Sequence, residues 1–187
     1  MPPPSYDPQS LRKSSSLQRS LSGRRVLITG PSLHGVGRVI AHICSIHGAE
    51  VALADILSLD EVAAECRELG ASRVVTCKFD AGLEGDSERM VKEVASQMSG
   101  QVLDNLYLNH NAGCFAPMFK QNDLLGTARR LMRINFFAYA EIADAALPFL
   151  TTAARIHHDT NGSTVPSSIV VISSLAAEMP MLDTVST

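Results

Sequence analysis

Val26-Leu27-Ile28-Thr29-Gly30-Pro31-Ser32-Leu33-His34-Gly35-Val36-Gly37 joins a short apolar run to a glycine-bearing loop and then to the start of a helical pattern. An apolar run with no polar alternation is what a strand buried on both faces looks like, and such strands belong to parallel sheets. Glycines let a backbone turn tightly and come close to a ligand, while the free N–H groups at a helix start point towards negative charge. Strand, loop and helix in this order predict a pyrophosphate cradle, with Gly30, Ser32, Leu33, His34, Gly35 and Val36 as its candidate binding residues.

The same alternation continues outward. A helix is expected from Val36 to His47, closed by Gly48, then a strand at Val51–Ala54 and a helix from Asp60 to Leu69 ended by Gly70. Arg73–Cys77, Leu106–Leu108 and Ile169–Ile172 read as further strands, and Ser87–Met98 and most of Leu124–Leu150 as helix, the latter in two pieces. The fold class is therefore α/β, a Rossmann-type doubly wound parallel sheet of about five strands. Thr151–Ser168, with His157-His158-Asp159 inside it, reads as a polar surface excursion. The sequence places no third ligand beside the histidine pair, so a solvated loop is preferred there over a metal site.

A second candidate site lies at the end of the second strand. Asp55 follows Gly30 by about 25 residues, where a carboxylate can accept the hydroxyls of an adenosine ribose. Ile56 and Leu57 come next, so no Arg or Lys stands ready for a ribose 2'-phosphate, and NAD is favoured over NADP. The structural alternative is a strand-end Asp that caps the following turn.

Composition limits the remaining choices. The 187 residues suffice for one domain, with 45% hydrophobic and 19% charged residues. A net charge of -3 and the absence of Trp argue against a nucleic-acid partner. No apolar run approaches the ~18 residues of a membrane span. Cys44, Cys66, Cys77 and Cys114 form no Cys-x-x-Cys pair and read as reduced, mostly buried thiols, which makes cytoplasm the default compartment. Residues 1–23, rich in Pro, Ser and basic residues, are expected to be a disordered tail ahead of a domain spanning 24–187. Such a tail suits a transit peptide, a phosphorylated segment or a plain solvated extension, so organellar import stays open.

Taken in order, these motifs resemble the compact branch of the short-chain dehydrogenase/reductase family. Thr29-Gly30 through Gly35-Val36-Gly37 resembles its glycine loop, and Asp80 with Ala81 its adenine-side acid. Asn109-His110-Asn111-Ala112-Gly113 resembles the Asn-Asn-Ala-Gly element on the nicotinamide-ribose side. Asn135 matches the family's catalytic helix Asn, and Val170-Val171-Ile172-Ser173-Ser174 its strand ending in the catalytic Ser, placed at Ser174. The resemblance implies Asp80, Ala81, Asn109, Asn111, Ala112, Gly113, Ile172 and Ser173 as cofactor-binding residues, with Ser174 and Asn135 as catalytic. Leu108-Asn109-His110 and Ser173-Ser174-Leu175-Ala176 further resemble the hydroxysteroid dehydrogenases.

The resemblance implies an NAD(P)-dependent oxidoreductase acting on a small alcohol or carbonyl, homo-oligomeric at full length. Three departures qualify it. Four residues separate Gly30 from Gly35 where the family has three, so the loop is expected to bulge at Leu33 or His34. Asn109 and Asn111 compete for one role. The family's proton donor, Tyr-x-x-x-Lys, has no counterpart: no Tyr follows Tyr139 and no Lys follows Lys120. The sheet also holds about five strands where the family has seven. The expectation is an incomplete, inactive version of a longer enzyme, cut just before the Tyr. An alignment anchored on Pro180 would instead put Val185 at the Tyr position. The alternative function is a non-catalytic short form that binds a nucleotide or a partner.

Overall fold

The computed structural model describes residues 20–110, 124–161 and 166–173. Its elements run β1 (Arg25–Thr29), α1 (Val36–Ile46), β2 (Glu50–Asp55), α2 (Asp60–Leu69), β3 (Arg73–Lys78), α3 (Asp86–Gln97), a 3-10 turn (Ser99–Gln101) and β4 (Asn105–Leu108). After the undescribed segment come α4 (Leu124–Met132), a π turn (Arg133–Phe137), α5 (Ala138–Asn161) and β5 (Ser168–Val171). The five strands form one sheet in the order β3-β2-β1-β4-β5, every neighbouring pair parallel. This is the doubly wound Rossmann-like architecture.

Period-two alternation on the strands builds a core on each face. Leu27, Leu106 and Leu108 pack with Met90 and Val91 of α3 and Ile142 of α5. Val26, Ile28 and Leu53 pack on the other face with Ala41 and Cys44 of α1 and Val62 and Cys66 of α2. Each Val, Leu, Ile or Met among them, once fully buried, contributes about 1.5–3 kcal/mol. Cys44, Cys66 and Cys77 are free and buried, and burial pushes Cys44 up to about 12 and Cys77 up to about 11. Among the described residues no helix is long and apolar enough to cross a membrane.

Three features depart from the sequence expectation. The segment after Leu150 does not leave the surface as a loop: α5 continues to Asn161. His157 is correspondingly not solvated, because its Nε2 lies 2.6 Å from Asp104 Oδ1 and 3.0 Å from Arg25 Nη2. The two helical pieces expected here meet at a π turn, with the Ala138 N–H reaching back to the Arg133 carbonyl. Finally, β5 forms the edge of the sheet, and Ile169, Val170 and Val171 are exposed rather than buried. At the other end of the chain, Ser20–Gly23 are a turn docked on the domain, with the Leu21 N–H donating to the His47 carbonyl at 3.1 Å.

Candidate active site

The sheet order reverses direction between β1 and β4, so a crevice opens at their C-terminal ends. Gly30 lies there with φ of 69°, and its N–H donates to the Ala54 carbonyl at 2.9 Å. A Cβ on Gly30 would sit 2.4 Å from the Asn109 carbonyl oxygen, and one on Gly37 would sit 2.5 Å from the Gly30 carbonyl oxygen. Both neighbours are backbone, so neither position tolerates a side chain. Gly35 is the opposite case: a Cβ there would meet nothing within 4 Å. Gly35 also begins α1, whose first turn has no side-chain cap and no acidic residue. A helix start left bare over open space is an anion site in waiting. Leu33 and His34, where the one additional loop residue is expected, are both exposed, Leu33 by 68%.

Two polar supports hold this loop. Asp55 Oδ2 accepts the Ser32 N–H at 3.1 Å and the Ser32 hydroxyl at 2.5 Å, while Oδ1 accepts the Leu57 N–H at 3.1 Å. The carboxylate thus caps its own turn and grips the glycine loop as well. A carboxylate offers about four acceptor directions, so capacity remains for one more donor. Arg38, nearly fully buried, donates from Nη1 to the Ser32 carbonyl at 3.3 Å and pairs with both Glu65 oxygens at 2.8 and 2.6 Å. His42 Nε2 joins Glu65 at 2.8 Å. The Arg38 hydrogen bonds, ahead of the opposing effect of burial, hold Glu65 below its ordinary value.

Asp80 follows β3, where its carboxylate accepts the Gly82 N–H at 2.8 Å and its own N–H donates to Asp86 at 2.8 Å. The backbone joins this corner to the last one, as the Phe79 N–H donates to the Asp55 carbonyl at 2.9 Å. Ala81 is buried beneath. Asn109 is buried at the end of β4, its N–H donating to Thr29 Oγ1 at 2.9 Å. Ile172 continues the ladder beside it through the Leu108 carbonyl at 2.9 Å, and Ser173 is exposed. Asn135 is exposed on the π turn. Asn111, Ala112, Gly113 and Ser174 lie outside the described residues.

Sequence reasoning passed over three residues that shape the crevice. Thr29 is fully buried and joins the β1 end to the Asn109–His110 corner. His110 stacks on Tyr139 with centroids 4.1 Å apart, and burial pushes its imidazole down to about 4. Arg38 locks the loop. The only advance signal was for Arg38: Arg38 and His42, like Glu61 and Glu65, repeat at one helical turn and so share a face.

The family model for short chain dehydrogenase matches residues 24–186. The chain belongs to the short-chain dehydrogenase family. The chain is 35% identical over 164 residues to the Hydroxysteroid 11-beta-dehydrogenase 1-like protein of Xenopus tropicalis, covering 87% of this chain and 51% of that one. To the protein of that name from Homo sapiens it is 34% identical over 163 residues, covering 86% and 46%. Among solved structures, an NADH-dependent reductase A1-R' complexed with NAD aligns with a TM-score of 0.70 at 23% identity, over 84% of this chain and 62% of that one. A hydroxysteroid dehydrogenase from Escherichia coli aligns with a TM-score of 0.62 at 25% identity, over 74% and 54%. The chain spans about half the length of the curated relatives it matches.

Proposed function

We propose that these residues form the nucleotide-holding part of an NAD-dependent oxidoreductase that acts on a small alcohol or carbonyl compound. The observation that carries the reading is the contrast within one loop. Gly30 and Gly37 have no room for a side chain, while Gly35 faces open space over the uncapped start of α1. A pyrophosphate requires this combination of close backbone, bare N–H groups and room. Gly30, Ser32, Leu33, His34, Gly35 and Val36 would surround it.

Asp55 has acceptor capacity left for a ribose hydroxyl, a charge-assisted bond contributing about 1.5–3 kcal/mol when sheltered. Neither Ile56 nor Leu57 offers a donor to a 2'-phosphate, which supports NAD over NADP. Asp80 and Ala81 would flank the adenine. Asn109, Asn111, Ala112, Gly113, Ile172 and Ser173 would line the nicotinamide end. The bound nicotinamide would supply or accept the hydride. Ser174 would hydrogen-bond the substrate oxygen, and Asn135 would hold the solvent-linked end of a proton path. Within these 187 residues no Tyr follows Tyr139 and no Lys follows Lys120, so the proton itself has no donor of the family's kind. The 187-residue chain is therefore expected to bind the dinucleotide without turning substrate over. The similarity to hydroxysteroid 11-beta-dehydrogenase 1-like proteins favours a hydroxysteroid among alcohol substrates.

Titration calorimetry tests the assignment. NAD should bind more tightly than NADP, and Asp55→Ala combined with Ile56→Arg should reverse the order. Unchanged binding of both nucleotides would sink the cofactor reading.

A further inference from the structure

Arg133 opens the π turn, and Glu141 lies past its end in α5, 8 positions further on. Both terminal nitrogens of the guanidinium reach the carboxylate, Nη1 to Oε1 and Nη2 to Oε2, each at 2.6 Å. A two-pronged pair of this kind fixes direction as well as distance. The Arg133 side chain is only 18% exposed, which shelters the pair from screening. The Arg133 hydrogen bonds hold the Glu141 carboxyl below its ordinary value, so the pair is charged at neutral pH. Nη2 also donates to the Leu83 carbonyl at 3.3 Å. Leu83 belongs to the corner after β3, where its own N–H donates to the Asp80 carbonyl at 3.0 Å.

The spacing of the pair is wrong for an α-helix. At about 100° per residue, such a separation leaves two side chains about 80° apart around the axis. A residue absorbed by a π turn shortens the effective separation by one, and the offset falls to about 20°. The Ala138 N–H, donating to the Arg133 carbonyl, marks that absorbed residue. Arg133 and Glu141 therefore share a face in the π register and part in the α register. The register also decides where Asn135 points, since Asn135 lies exposed inside the turn. A slip to α geometry would rotate the helix on one side of the turn by about 100° against the other.

We propose that Arg133 and Glu141 are positioning residues for Asn135: their ion pair selects the π register and so sets the direction of Asn135. Through the Leu83 carbonyl, the same guanidinium fastens that turn to the Asp80 corner. The use made of Asn135 rests on the proposed function, whereas the register does not require nucleotide.

Scalar coupling across hydrogen bonds, measured by NMR on the isotope-labelled 187-residue chain, reports which carbonyl each N–H pairs with. In wild type the Ala138 N–H should couple to the Arg133 carbonyl. Arg133→Met and Glu141→Met each remove the pair and keep an apolar stem. In both variants that coupling should be lost, and a coupling from Ala138 to the Ile134 carbonyl should replace it. Exchanging the charges, Arg133→Glu with Glu141→Arg, should bring back the coupling between positions 138 and 133. Retention of the wild-type coupling in either single variant means that packing sets the register, and defeats the proposal. Failure of the exchanged pair to restore it does the same. If the single variants do not fold, the wild-type guanidinium decides. Separate, slowly exchanging Nη proton signals from Arg133 are expected of a locked fork, and one averaged signal overturns it. Absence of NAD binding with the register intact would defeat only the nucleotide reading.

Discussion

At the N-terminal end of the sheet, buried charge meets buried charge; at the C-terminal end, the strands finish in glycines, backbone groups and a neutral ring. The Asp104 side chain is fully buried, and its oxygens take the Arg25 Nε at 2.6 Å, the Arg25 backbone N–H at 2.8 Å, Arg24 at 3.3 Å and His157 at 2.6 Å. Its backbone reaches both neighbouring strands, the N–H donating to the Arg25 carbonyl at 2.8 Å and the carbonyl accepting the Ser168 N–H at 3.1 Å. One residue thus joins β1, β4, β5 and α5. At the opposite end, His110 is held neutral by burial and Gly35 faces open space. Charges that find protein partners close an end of the sheet. The other end keeps an uncapped helix start over open space.

The largest expected effect lies at the closed end. Asp104→Asn should destabilise the domain by about 3–5 kcal/mol at neutral pH, since it leaves two arginines beside a group that no longer balances them. Urea denaturation measures this, and nucleotide affinity of the folded fraction should stay unchanged. The sign of the pH dependence follows from the same group. Burial is the largest single effect and disfavours the Asp104 charge, but the hydrogen bonds and charge of Arg25, joined by the His157 hydrogen bond, together hold its carboxyl below the ordinary 3.8. Its contribution is therefore complete above that value and is lost as pH falls through the depressed one. A loss under 1 kcal/mol in roughly neutral buffer would show that the closed end is not held by charge.

At the open end, two glycine substitutions should separate from each other. Gly30→Ala meets backbone at 2.4 Å with a positive φ and should cost about 2–3 kcal/mol of stability. Gly35→Ala meets nothing within 4 Å and should shift stability by less than about 0.5 kcal/mol. It should nevertheless weaken NAD binding about tenfold, because the methyl group occupies the space in front of the helix N–H groups. If Gly35→Ala leaves the affinity untouched, the open space is not the pyrophosphate site.

The smallest effect concerns the support between the ends. Glu65→Gln removes the charge that pairs with Arg38 and should cost about 1 kcal/mol, with a loss of NAD affinity of about twofold through the loosened Ser32 carbonyl. Thermal melting and titration together read both. A stability change without any change in affinity would confine Arg38 to packing α1 against α2.

Where local sequence carries the physics, the fold was legible. Apolar runs marked every strand of the sheet, and α1 and α2 end where Gly48 and Gly70 were expected to close them. Asp55 was found at its strand end, though the sequence offered capping and ligand binding as alternatives, while the structure shows the carboxylate capping Leu57 and also holding Ser32. The polar stretch after Leu150 was misread because polarity alone marks a loop, whereas His157 extends a helix by finding Asp104 53 residues away in the chain. The same holds for Thr29 and His110, 81 residues apart and invisible to any local pattern.

The sequence by itself determined the alternation of strands and helices and the strand–glycine loop–helix order that begins at Val26, because each depends on residues near one another in the chain. Only the tertiary structure decided which glycine is crowded and which is open, which histidine meets a buried carboxylate and which is stacked as a neutral ring, and where a helix turns with a π register. Those outcomes depend on what the other strands and helices bring within hydrogen-bonding distance, and burial then sets which protonation state survives.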